Sequence, residues 1–423
     1  MKYGILTLDD VQVTGKTVLL RLDINEPVDR KTNTLKDVTR IQACIPTIKE
    51  LAQRGAKVVI LAHQGSDIEY NNFYTTKPHA IVLSEALGQN VEFIDDVCGP
   101  AARIAIKALK AGGILLLDNV RFVSEEQTLF ELNLKLSHEK QTDTLLIRKL
   151  APLADIYVCD AFAAAHRDQP SLCAFEYVLP SAMGRLFEKE YCILSDMMEN
   201  PKRPCIFILG GAKIADAFSM ISTVLKKGVA DYVLTGGLAG QILLWSKGIS
   251  LGDASKNVIR ERGYQKYVAA ATDMISEFSD RVILPDDMAY VKNNIRFDVD
   301  IDNLPNEEIL TDIGRKTAEK YQRLIYKSET VFVNGPMGVF ENTLSEYGTK
   351  AVWMALKNTG GFTVIGGGDS IAAANKYNVK SSINYVCTGG GALIRFLSGE
   401  ELPVVRALRY SSKKTRQEDS HED

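Results

Sequence analysis

Basic side chains lie at the ends of several short apolar runs in the first half of this 423-residue chain, or at the start of a helix-like segment nearby. They are Arg21, Arg40, His63, Arg121, His166 and Arg167. Arginine binds carboxylate and phosphate oxygens with a planar, permanently charged fork. Any one of these residues could be an ion-paired surface group, but together they indicate a site for a small, multiply anionic ligand.

Glycines occupy the corresponding positions in the second half of the chain. They are Gly210-Gly211, Gly236-Gly237, Gly335, Gly366-Gly367-Gly368 and Gly389-Gly390-Gly391. Tight turns explain one or two such positions without any ligand. Five of them favour a polyphosphate site, because glycine lets backbone N–H groups approach an anion closely. The sequence contains neither the P-loop motif nor the G-x-G-x-x-G dinucleotide motif.

An aspartate directly follows one of these glycine runs, in FTVIGGGDSIAAA at residues 362–374. A carboxylate repels phosphate, so Asp369 is unexpected in a loop that binds phosphate alone. One explanation needs no ligand, because Asp or Ser near the first turn of a helix caps its free N–H groups.

Apolar runs and helix-length amphipathic segments alternate along nearly the whole chain. In residues 37–63, five apolar residues recur at helical spacing and are followed by KVVILA, a run typical of a buried strand. The unit recurs in KTAEKYQRLIYKSETVFVNGP and in GTKAVWMALKNTGGFTVIGGG. This alternation predicts an α/β protein with parallel sheets that helices cover on both faces.

The strand-like runs form two sets, four before about residue 180 and six after it. Residues 184–204 lie between the sets and combine helical spacing with a proline-flanked break. We therefore predict a first domain at 1–183, an interdomain helix and hinge at 184–204, and a second domain at 205–408. Residues 409–423 are polar and lack periodicity, which predicts a frayed C-terminal tail.

Composition excludes several classes of function. The formal net charge of −3 argues against a nucleic-acid-binding protein, which usually carries a basic domain. No apolar stretch is long enough to span a bilayer, and no basic-apolar leader is present. We therefore expect a cytoplasmic protein that binds neither nucleic acid nor membranes.

Eight short motifs, in order, make the chain similar to the phosphoglycerate kinase family. They are RLDINEP, ILAHQGS, LLLDNVRF, DAFAAAHR, LGGAKIADAF, VNGPMGVFE, VIGGGDS and TGGGA, and the resemblance covers about residues 16–408. It implies two Rossmann-like, doubly wound parallel-sheet domains in a monomer. It also implies reversible, Mg²⁺-dependent phosphoryl transfer between 1,3-bisphosphoglycerate with ADP and 3-phosphoglycerate with ATP, a glycolytic step.

The resemblance assigns the candidate site residues. For the triose it implies Asp23, Ile24, Asn25, Arg40, His63, Gln64, Gly65, Ser66, Arg121 and Arg167. For the nucleotide it implies Gly211, Lys213, Asn334, Glu341, Gly367, Gly368, Asp369 and Ser370. By this analogy Glu341 holds the ribose hydroxyls and Asp369 holds Mg²⁺, while Arg40 and Lys213 contact the phosphoryl group in transit.

The implied reaction suits these residue types. The acceptor is a carboxylate that is already ionised at neutral pH, so no general base is required. Catalysis then depends on alignment and on screening the charge of the moving group. Because the resemblance implies triose and nucleotide on different domains, closure about 184–204 must precede transfer. The aspartate after the glycines also fits, since Mg²⁺ binds carboxylate and phosphate oxygens together.

Three positions depart from the common family pattern. Ser66 and Ala217 stand where many members carry an arginine and a lysine, and Ala163 replaces a glycine in a turn. Loss of one transition-state donor costs about 10²–10³ in rate if nothing replaces it. The lysine position and the HQ pair resemble the archaeal branch more than bacterial or animal members.

Two alternatives arise from these departures. One is a catalytically weak homologue that acts by binding nucleotide. Ser66 and Ala217 favour it, and it is opposed by the retained Arg40, Lys213, Glu341 and Asp369. The other is a kinase of the same fold that acts on another acyl phosphate. A coupled assay with ATP and 3-phosphoglycerate distinguishes the three.

Overall fold

The structure is a computed structural model that describes residues 1–422 except 30, 33, 66–73 and 128–134, with backbone only for 418–422. The chain divides into two compact units. Unit 1 comprises Met1–Ile193 with Glu401–Asp423, and unit 2 comprises Leu194–Glu400. Among the described residues, no helix has the length and apolar character needed to cross a membrane.

The strands of unit 1 include every one of the four apolar runs predicted there. They are β1 (Thr17–Arg21), β2 (Val28–Asp29), β3 (Thr34–Leu35), β4 (Lys57–Leu61), β5 (Val91–Ile94), β6 (Ile114–Leu117), β7 (Ile156–Cys159) and β8 (Ser181–Met183). Six form a parallel sheet in the order β5-β6-β4-β1-β7-β8. The short strands β2 and β3 pair antiparallel.

Helices follow most of the strands of this sheet. They are α1 (Thr39–Gln53), α2 (Lys77–Leu87), α3 (Pro100–Ala108), α4 (His138–Gln141), α5 (Leu145–Leu150), α6 (Pro170–Cys173) and α7 (Arg185–Glu199). The apolar spacing in 37–63 predicts α1 and β4 correctly. Ile41, Cys44, Ile48 and Leu51 are buried along one face of α1, in the core formed with β1 and β4.

Unit 2 is built on a second six-stranded parallel sheet. The strands of unit 2 are β9 (Cys205–Leu209), β10 (Tyr232–Thr235), β11 (Val282–Ile283), β12 (Asp287–Lys292), β13 (Ile295–Asp300), β14 (Leu310–Ile313), β15 (Thr330–Asn334), β16 (Phe362–Gly366) and β17 (Tyr385–Cys387). The six predicted runs form the sheet in the order β11-β10-β9-β15-β16-β17. The predicted α/β class with two parallel sheets is therefore confirmed.

Unit 2 has its own helices, some of which begin near the strand ends that carry glycine. They are α8 (Ile214–Lys226), α9 (Gly237–Ser246), α10 (Asp253–Glu261), α11 (Tyr267–Glu277), α12 (Arg315–Tyr326), α13 (Tyr347–Asn358), α14 (Gly368–Lys376) and α15 (Gly390–Leu397). Three of them, α9, α14 and α15, begin at a residue of a glycine run.

A small antiparallel sheet of unit 2 was not predicted. Strands β13, β12 and β14 form it, and β12 pairs with β13 through a two-residue turn at Asn293 and Asn294. Both asparagines have positive φ, 51° and 59°, as the favoured tight hairpin turns require. Strand β13 is largely exposed and rich in charge, and β12 and β14 each contain a buried aspartate, so none of the three has the continuous apolar run that marks the parallel strands.

The predicted frayed tail was wrong. Residues 403–422 form one helix, α16 (Pro403–Glu422), and the chain from residue 401 onward belongs to unit 1, not to the second domain. Val404 and Leu408 are buried, and Tyr410 stacks on Tyr177 with ring centroids 4.0 Å apart. The small Ser412 is also buried and accepts the backbone N–H of Leu6 at 2.9 Å. Packing on a distant part of the chain, rather than local periodicity, therefore orders this segment.

The helix predicted within residues 184–204 is α7. Phe187, Tyr191 and Leu194 are buried along it. The boundary between the two units falls after Ile193, within this helix. Its function as a hinge stays a prediction.

Candidate active site

The basic residues of unit 1 converge at the carboxyl ends of neighbouring strands. Strands β6, β4, β1 and β7 are adjacent in the sheet, and they lead to Arg121, His63, Arg21 and Arg167 respectively. Burial lowers the pKa of His63 well below its usual value, and the charges of these three arginines and of Arg40 lower it further. The structure therefore brings the predicted basic set together at one edge, where open parallel sheets bind their ligands.

Arg40 lies in the first turn of α1 and faces Asp23. Its Nη1 donates to Asp23 Oδ2 at 2.8 Å, and the charge of Asp23 is the main cause of a raised Arg40 pKa. The carboxylate of Glu26 accepts the backbone N–H groups of Arg40 at 2.6 Å and Ile41 at 3.2 Å. Glu26 thus anchors the start of the helix, while the Arg40 side chain remains 38% exposed and accessible to a ligand.

Asn25, Gly65 and Arg121 form a second group at this edge. Asn25 Nδ2 donates to the carbonyl oxygen of Gly65 at 3.2 Å, and Gly65 N–H donates back to Asn25 Oδ1 at 3.0 Å. Arg121 Nη1 also donates to the Gly65 carbonyl oxygen, and the Arg121 side chain is buried. These hydrogen bonds join the loop after β1 to the loop after β4.

The side chain of Gln64 is buried and makes hydrogen bonds within unit 1. Its Oε1 accepts the backbone N–H of Glu26 at 3.1 Å and Nε2–H of His79 at 2.9 Å, while its own Nε2 donates to the Glu26 carbonyl oxygen at 2.7 Å. Ile24 belongs to the apolar core of unit 1. The side chains of both residues are therefore engaged within unit 1, and Ser66 lies outside the described residues.

Arg167 follows a short helical turn at residues 162–164 that contains Ala163. Its backbone N–H donates to the Ala164 carbonyl oxygen at 2.9 Å, and its own carbonyl oxygen accepts Cys173 Sγ at 3.5 Å. The side chain is half-buried. This hydrogen-bonded turn therefore positions Arg167 at the edge, with Ala163 in place of the glycine of the family pattern.

A concave pocket in unit 2 collects seven of the eight predicted nucleotide residues. They are Gly211, Lys213, Asn334, Gly367, Gly368, Asp369 and Ser370. Gly210, Ala212, Gly335 and Ile394 complete its lining, and it has about 320 Å³ of unfilled space. Glu341, in the loop after β15, is exposed and does not line this pocket.

Close backbone packing shapes this pocket. The N–H of Gly335 donates to the buried Oγ of Ser370 at 2.8 Å, and Asn334 Nδ2 donates to the Gly366 carbonyl oxygen at 3.0 Å. Gly335 and Gly367 both have φ +89°, a conformation that side chains rarely adopt. The end of β15 is therefore tied to the start of α14, where Gly367 is half-buried and Gly368 is exposed.

Charged residues of both signs lie at this pocket. Lys213 is exposed at the start of α8, and Asp369 is exposed in the first turn of α14. Free N–H groups and the helix dipole give the start of α14 a partial positive charge that favours an anion. Ala217, one turn after Lys213, is buried on α8, so its small side chain brings no second cation.

The donor set at Asp369 fits Mg²⁺ only as part of a metal–phosphate complex. In the described part of the chain, no group of three histidine, cysteine or carboxylate ligands includes Asp369. Mg²⁺ commonly binds through one or two carboxylates together with substrate phosphates and waters. A single exposed carboxylate beside glycine amides matches that mode, and not a cage made of protein ligands.

Comparison with known proteins identifies the family. The family model for phosphoglycerate kinase matches residues 8–400. The chain belongs to the phosphoglycerate kinase family. Phosphoglycerate kinase of Methanothermobacter thermautotrophicus is 45% identical over 411 residues, covering 97% of this chain and 98% of that protein. Phosphoglycerate kinase of Methanococcus maripaludis is 43% identical, covering 97% of this chain and 99% of that protein.

Solved structures of phosphoglycerate kinases are similar as well. The enzyme from Pyrococcus horikoshii has a TM-score of 0.85 and 39% identity, covering 97% of this chain and 100% of that one. The enzyme from Coxiella burnetii has a TM-score of 0.82 and 28% identity, covering 96% and 98%. The archaeal relatives are thus the more similar of these in sequence, which confirms the resemblance to that branch.

Membership of the phosphoglycerate kinase family makes this protein a phosphotransferase. The family's reaction is reversible transfer of a phosphoryl group between 1,3-bisphosphoglycerate with ADP and 3-phosphoglycerate with ATP, a step of glycolysis. The chain spans nearly the whole length of these relatives. Neither alternative, the nucleotide-binding homologue or the kinase for another acyl phosphate, gains support from any of these likenesses.

The sequence patterns did not predict the buried residues that hold the basic edge of unit 1 in place. Glu26 anchors α1, and Ser171 and Glu126 lie beneath the basic edge, where both side chains are buried. Buried polar side chains in short loops give no periodic signal, so composition and spacing cannot find them. Gly210 and Gly335, by contrast, lie in the glycine runs that the sequence analysis singled out, and both line the pocket of unit 2.

Proposed function

We propose that unit 1 binds the triose and that unit 2 binds the nucleotide in the phosphoglycerate kinase reaction. One observation carries this division, namely the opposite chemistry of the two strand edges. Unit 1 presents arginines and a histidine, which suit a small ligand with separate carboxylate and phosphate charges. Unit 2 presents glycine amides and a helix start, which suit the phosphates of a nucleotide.

In the direction of ATP consumption, a carboxylate oxygen of 3-phosphoglycerate attacks the terminal phosphorus of ATP. A bond forms between that oxygen and phosphorus, and the bond to the bridging oxygen breaks to release ADP. Arg121, Arg167 and His63 hold the triose, with Asp23 and Asn25 shaping its loop. Arg40 is exposed enough to reach the group in transit and screens its negative charge.

On the nucleotide side, the amides of Gly367 and Gly368 take the phosphate oxygens. Gly211 lines the same pocket, and its own N–H donates to the Pro336 carbonyl oxygen at 2.7 Å. Lys213 adds a positive charge to the phosphoryl group as it moves. Glu341, at the exposed loop, accepts hydrogen bonds from the ribose hydroxyls. The reaction needs only alignment of the reactants and screening of the charge on the moving phosphoryl group. Arg40 and Lys213 are the cations assigned to that group, so they are the catalytic residues.

Asp369 would hold Mg²⁺ together with the nucleotide phosphates. The ion neutralises phosphate charge and orients the terminal phosphoryl group. This assignment accounts for a carboxylate beside amides that otherwise favour anions. It rests on the exposed position of Asp369 in the first turn of α14 and on its place in the pocket lining.

The carboxylate and the phosphoryl donor bind to different units in this proposal, so transfer requires a closed state, with α7 as the hinge. Such motions typically take microseconds to milliseconds. A glycolytic step predicts a cytoplasmic enzyme, and we propose that it acts as a monomer.

A coupled assay with purified protein, ATP, Mg²⁺ and 3-phosphoglycerate tests the proposed function. Turnover with 3-phosphoglycerate, and loss of turnover when EDTA removes the metal, are the expected results. Nucleotide binding without turnover would support the weak homologue instead. Turnover only with another carboxylate would support the kinase for a different acyl phosphate.

A further inference from the structure

Arg21 differs from the other arginines of the basic edge because it is only 1% exposed. It is the last residue of β1, paired with Leu61 of β4 and Cys159 of β7. Each of its nitrogens has an acceptor within unit 1. Nε donates to Ser171 Oγ at 2.9 Å, Nη1 donates to the Leu22 carbonyl oxygen, and Nη2 lies 3.2 Å from His63 Nδ1. Arg21 is therefore engaged inside the protein, whereas Arg40 is accessible.

The contact with His63 dictates how that imidazole is protonated. A guanidinium group donates hydrogen bonds and accepts none, and it stays charged in proteins. His63 Nδ1 must therefore accept, which leaves the single proton of a neutral ring on Nε2. Burial and the charges of Arg21, Arg121, Arg167 and Arg40 lower the pKa of His63 well below its usual value, so the ring is neutral at neutral pH.

We propose that Arg21 is a positioning residue that holds His63 as the Nε2–H tautomer, so that His63 donates a hydrogen bond to an anionic oxygen of the triose. The functional half of this inference rests on the proposed triose site of unit 1. The opposite tautomer would turn a lone pair toward the anion and weaken binding. Arg21 thus acts through His63 and needs no contact with the ligand.

A buried carboxylate fixes the guanidinium from the other side. Glu126 accepts the backbone N–H of Ser171 at 2.9 Å and also its hydroxyl, so Ser171 lies between Glu126 and Arg21. Burial raises the pKa of Glu126, and the charge of Arg21 is the largest influence that lowers it. Glu126 and Ser171 thus hold the Nε side of the guanidinium, whereas the direction of the hydrogen bond from Nη2 to His63 follows from the guanidinium itself, which can only donate.

Nitrogen NMR of the full chain, with ¹⁵N in its histidine rings, tests the tautomer directly. The chain has five histidines, so the His63 signals are assigned by their absence in a His63→Gln variant. At neutral pH we expect Nδ1 unprotonated and Nε2 protonated, both without ligand and with 3-phosphoglycerate. A ring protonated at Nδ1, or at both nitrogens, would overturn the inference, and the wild-type spectrum decides this without any variant.

Variants test the role of Arg21 itself. Arg21→Met keeps the apolar stem and removes every donor, and we expect mixed tautomers, about tenfold weaker 3-phosphoglycerate binding and unchanged ADP binding. Ser171→Ala is the matched control, since it removes an Arg21 partner and leaves the bond to His63; the tautomer should persist. An Arg21→Met protein that keeps both the tautomer and the affinity would contradict the positioning role.

The two proposals can fail separately. If His63→Gln leaves 3-phosphoglycerate affinity unchanged, the triose site is wrong and the purpose assigned to Arg21 fails with it. If His63→Gln weakens binding but the spectrum shows Nδ1–H, the triose site stands and only the inference about Arg21 is overturned.

Discussion

At the scale of single residues, burial separates side chains of the same type into different roles. Arg21 and Arg40 both lie at the basic edge of unit 1, yet Arg21 is enclosed and Arg40 is 38% exposed with one ion pair to Asp23. Asp23 is buried, so the ion pair is only partly exposed, but the exposed part of the Arg40 side chain can contact a ligand, whereas Arg21 is enclosed with its partners. Exposure therefore makes Arg40 the candidate to contact the phosphoryl group.

Replacement of Arg40 by alanine should remove charge screening in the transition state. We expect kcat to fall about 10²–10³-fold, a typical effect of losing one such donor. ADP affinity, measured by calorimetry, should be nearly unchanged because the nucleotide pocket belongs to unit 2. Lys49→Ala, an exposed cation on the same helix, is the control and should leave kcat intact. Comparable losses in kcat and ADP affinity for Arg40→Ala would contradict the assigned role.

Asp369→Asn should weaken binding of Mg-nucleotide while leaving 3-phosphoglycerate affinity nearly unchanged. The amide keeps the size of the side chain and removes the charge that a hard divalent cation requires. Titration of ADP with and without Mg²⁺ measures the effect, and the dependence on Mg²⁺ should shrink. Asp253→Asn, also exposed in a first helical turn of unit 2, should change neither titration. A loss of 3-phosphoglycerate affinity instead would refute the metal assignment.

Asp160 makes stability depend on pH. It is buried, its Oδ1 accepts the N–H of Phe187 at 2.9 Å, and burial raises its pKa from 3.8 to about 7. The folded protein therefore keeps a proton that the unfolded chain has released between these values. The contribution of Asp160 to stability is complete below pH 3.8 and is lost as the pH rises towards 7.

Asp160→Asn should flatten this dependence, because the amide is neutral throughout and keeps an acceptor for Phe187. We expect the free energy of unfolding, measured with urea from about pH 4 to 8, to fall less steeply with pH in the variant than in the wild type. Parallel pH profiles for the two proteins would show that Asp160 does not titrate in this range.

At the scale of elements, neighbouring parallel strands of unit 2 end in loops whose backbones nearly touch. Strand β9 leads to Gly210 and its neighbour β15 leads to Gly335, where a Cβ atom would collide with the Gly210 carbonyl oxygen. Glycine is therefore needed here for close approach as well as for its positive φ. This packing of strand ends shapes the wall of the pocket, and hydrogen bonds between the two loops hold it.

Gly335→Ala should thus damage the pocket, whereas Gly228→Ala should not. Both glycines have positive φ, +89° and +66°, so backbone strain should cost each variant about 1–2 kcal/mol of stability, and the collision at Gly335 should cost that variant more. A Cβ at Gly228 meets nothing within 4 Å. We expect ADP affinity to fall about tenfold only for Gly335→Ala, roughly the effect of losing one or two amide contacts. Equal ADP affinities in the two variants would contradict this account of the pocket.

At the scale of the whole molecule, each unit has its own apolar core, and the end of the chain returns to the first one. Helix α16 belongs to unit 1, where Tyr410 stacks on Tyr177 and Ser412 accepts the N–H of Leu6. Arg409 Nη2 also donates to the hydroxyl of Tyr191 at 2.9 Å. The C-terminal segment is thus a structural part of the triose unit in our proposal.

Deletion of residues 409–423 should therefore destabilise unit 1. The loss of a buried hydrogen bond and of an aromatic stack predicts at least about 2 kcal/mol, measured by urea unfolding. Deletion of residues 418–423 alone is the control, since it keeps the contacts of Arg409, Tyr410 and Ser412. If the two truncated proteins were equally stable, the contacts of Arg409, Tyr410 and Ser412 would contribute nothing to stability, as the prediction of a frayed tail implies. ADP affinity should be the same in both, because the nucleotide pocket lies in unit 2.

Local sequence was sufficient wherever a short range of residues decides the structure. The parallel strands are predicted by apolar runs that both faces of a sheet must bury, and α1 is predicted by its helical spacing. The glycine loops and the exposed Asp369 could likewise be placed at strand ends, because the residues directly after a strand lie at its carboxyl end. Motif order was then enough to indicate the family.

Tertiary structure alone decided the contacts between residues far apart in the chain. Arg21 and Arg40 are the same residue type in the same predicted basic set. Strands β4 and β7 lie on either side of Arg21 and bury it, and His63 becomes its hydrogen-bond partner. Gln64 meets Glu26 and His79, and Ser412 meets Leu6, across as many as 406 positions. Such pairings depend on which surfaces pack together, and that information is spread over the whole chain and does not lie in any one segment.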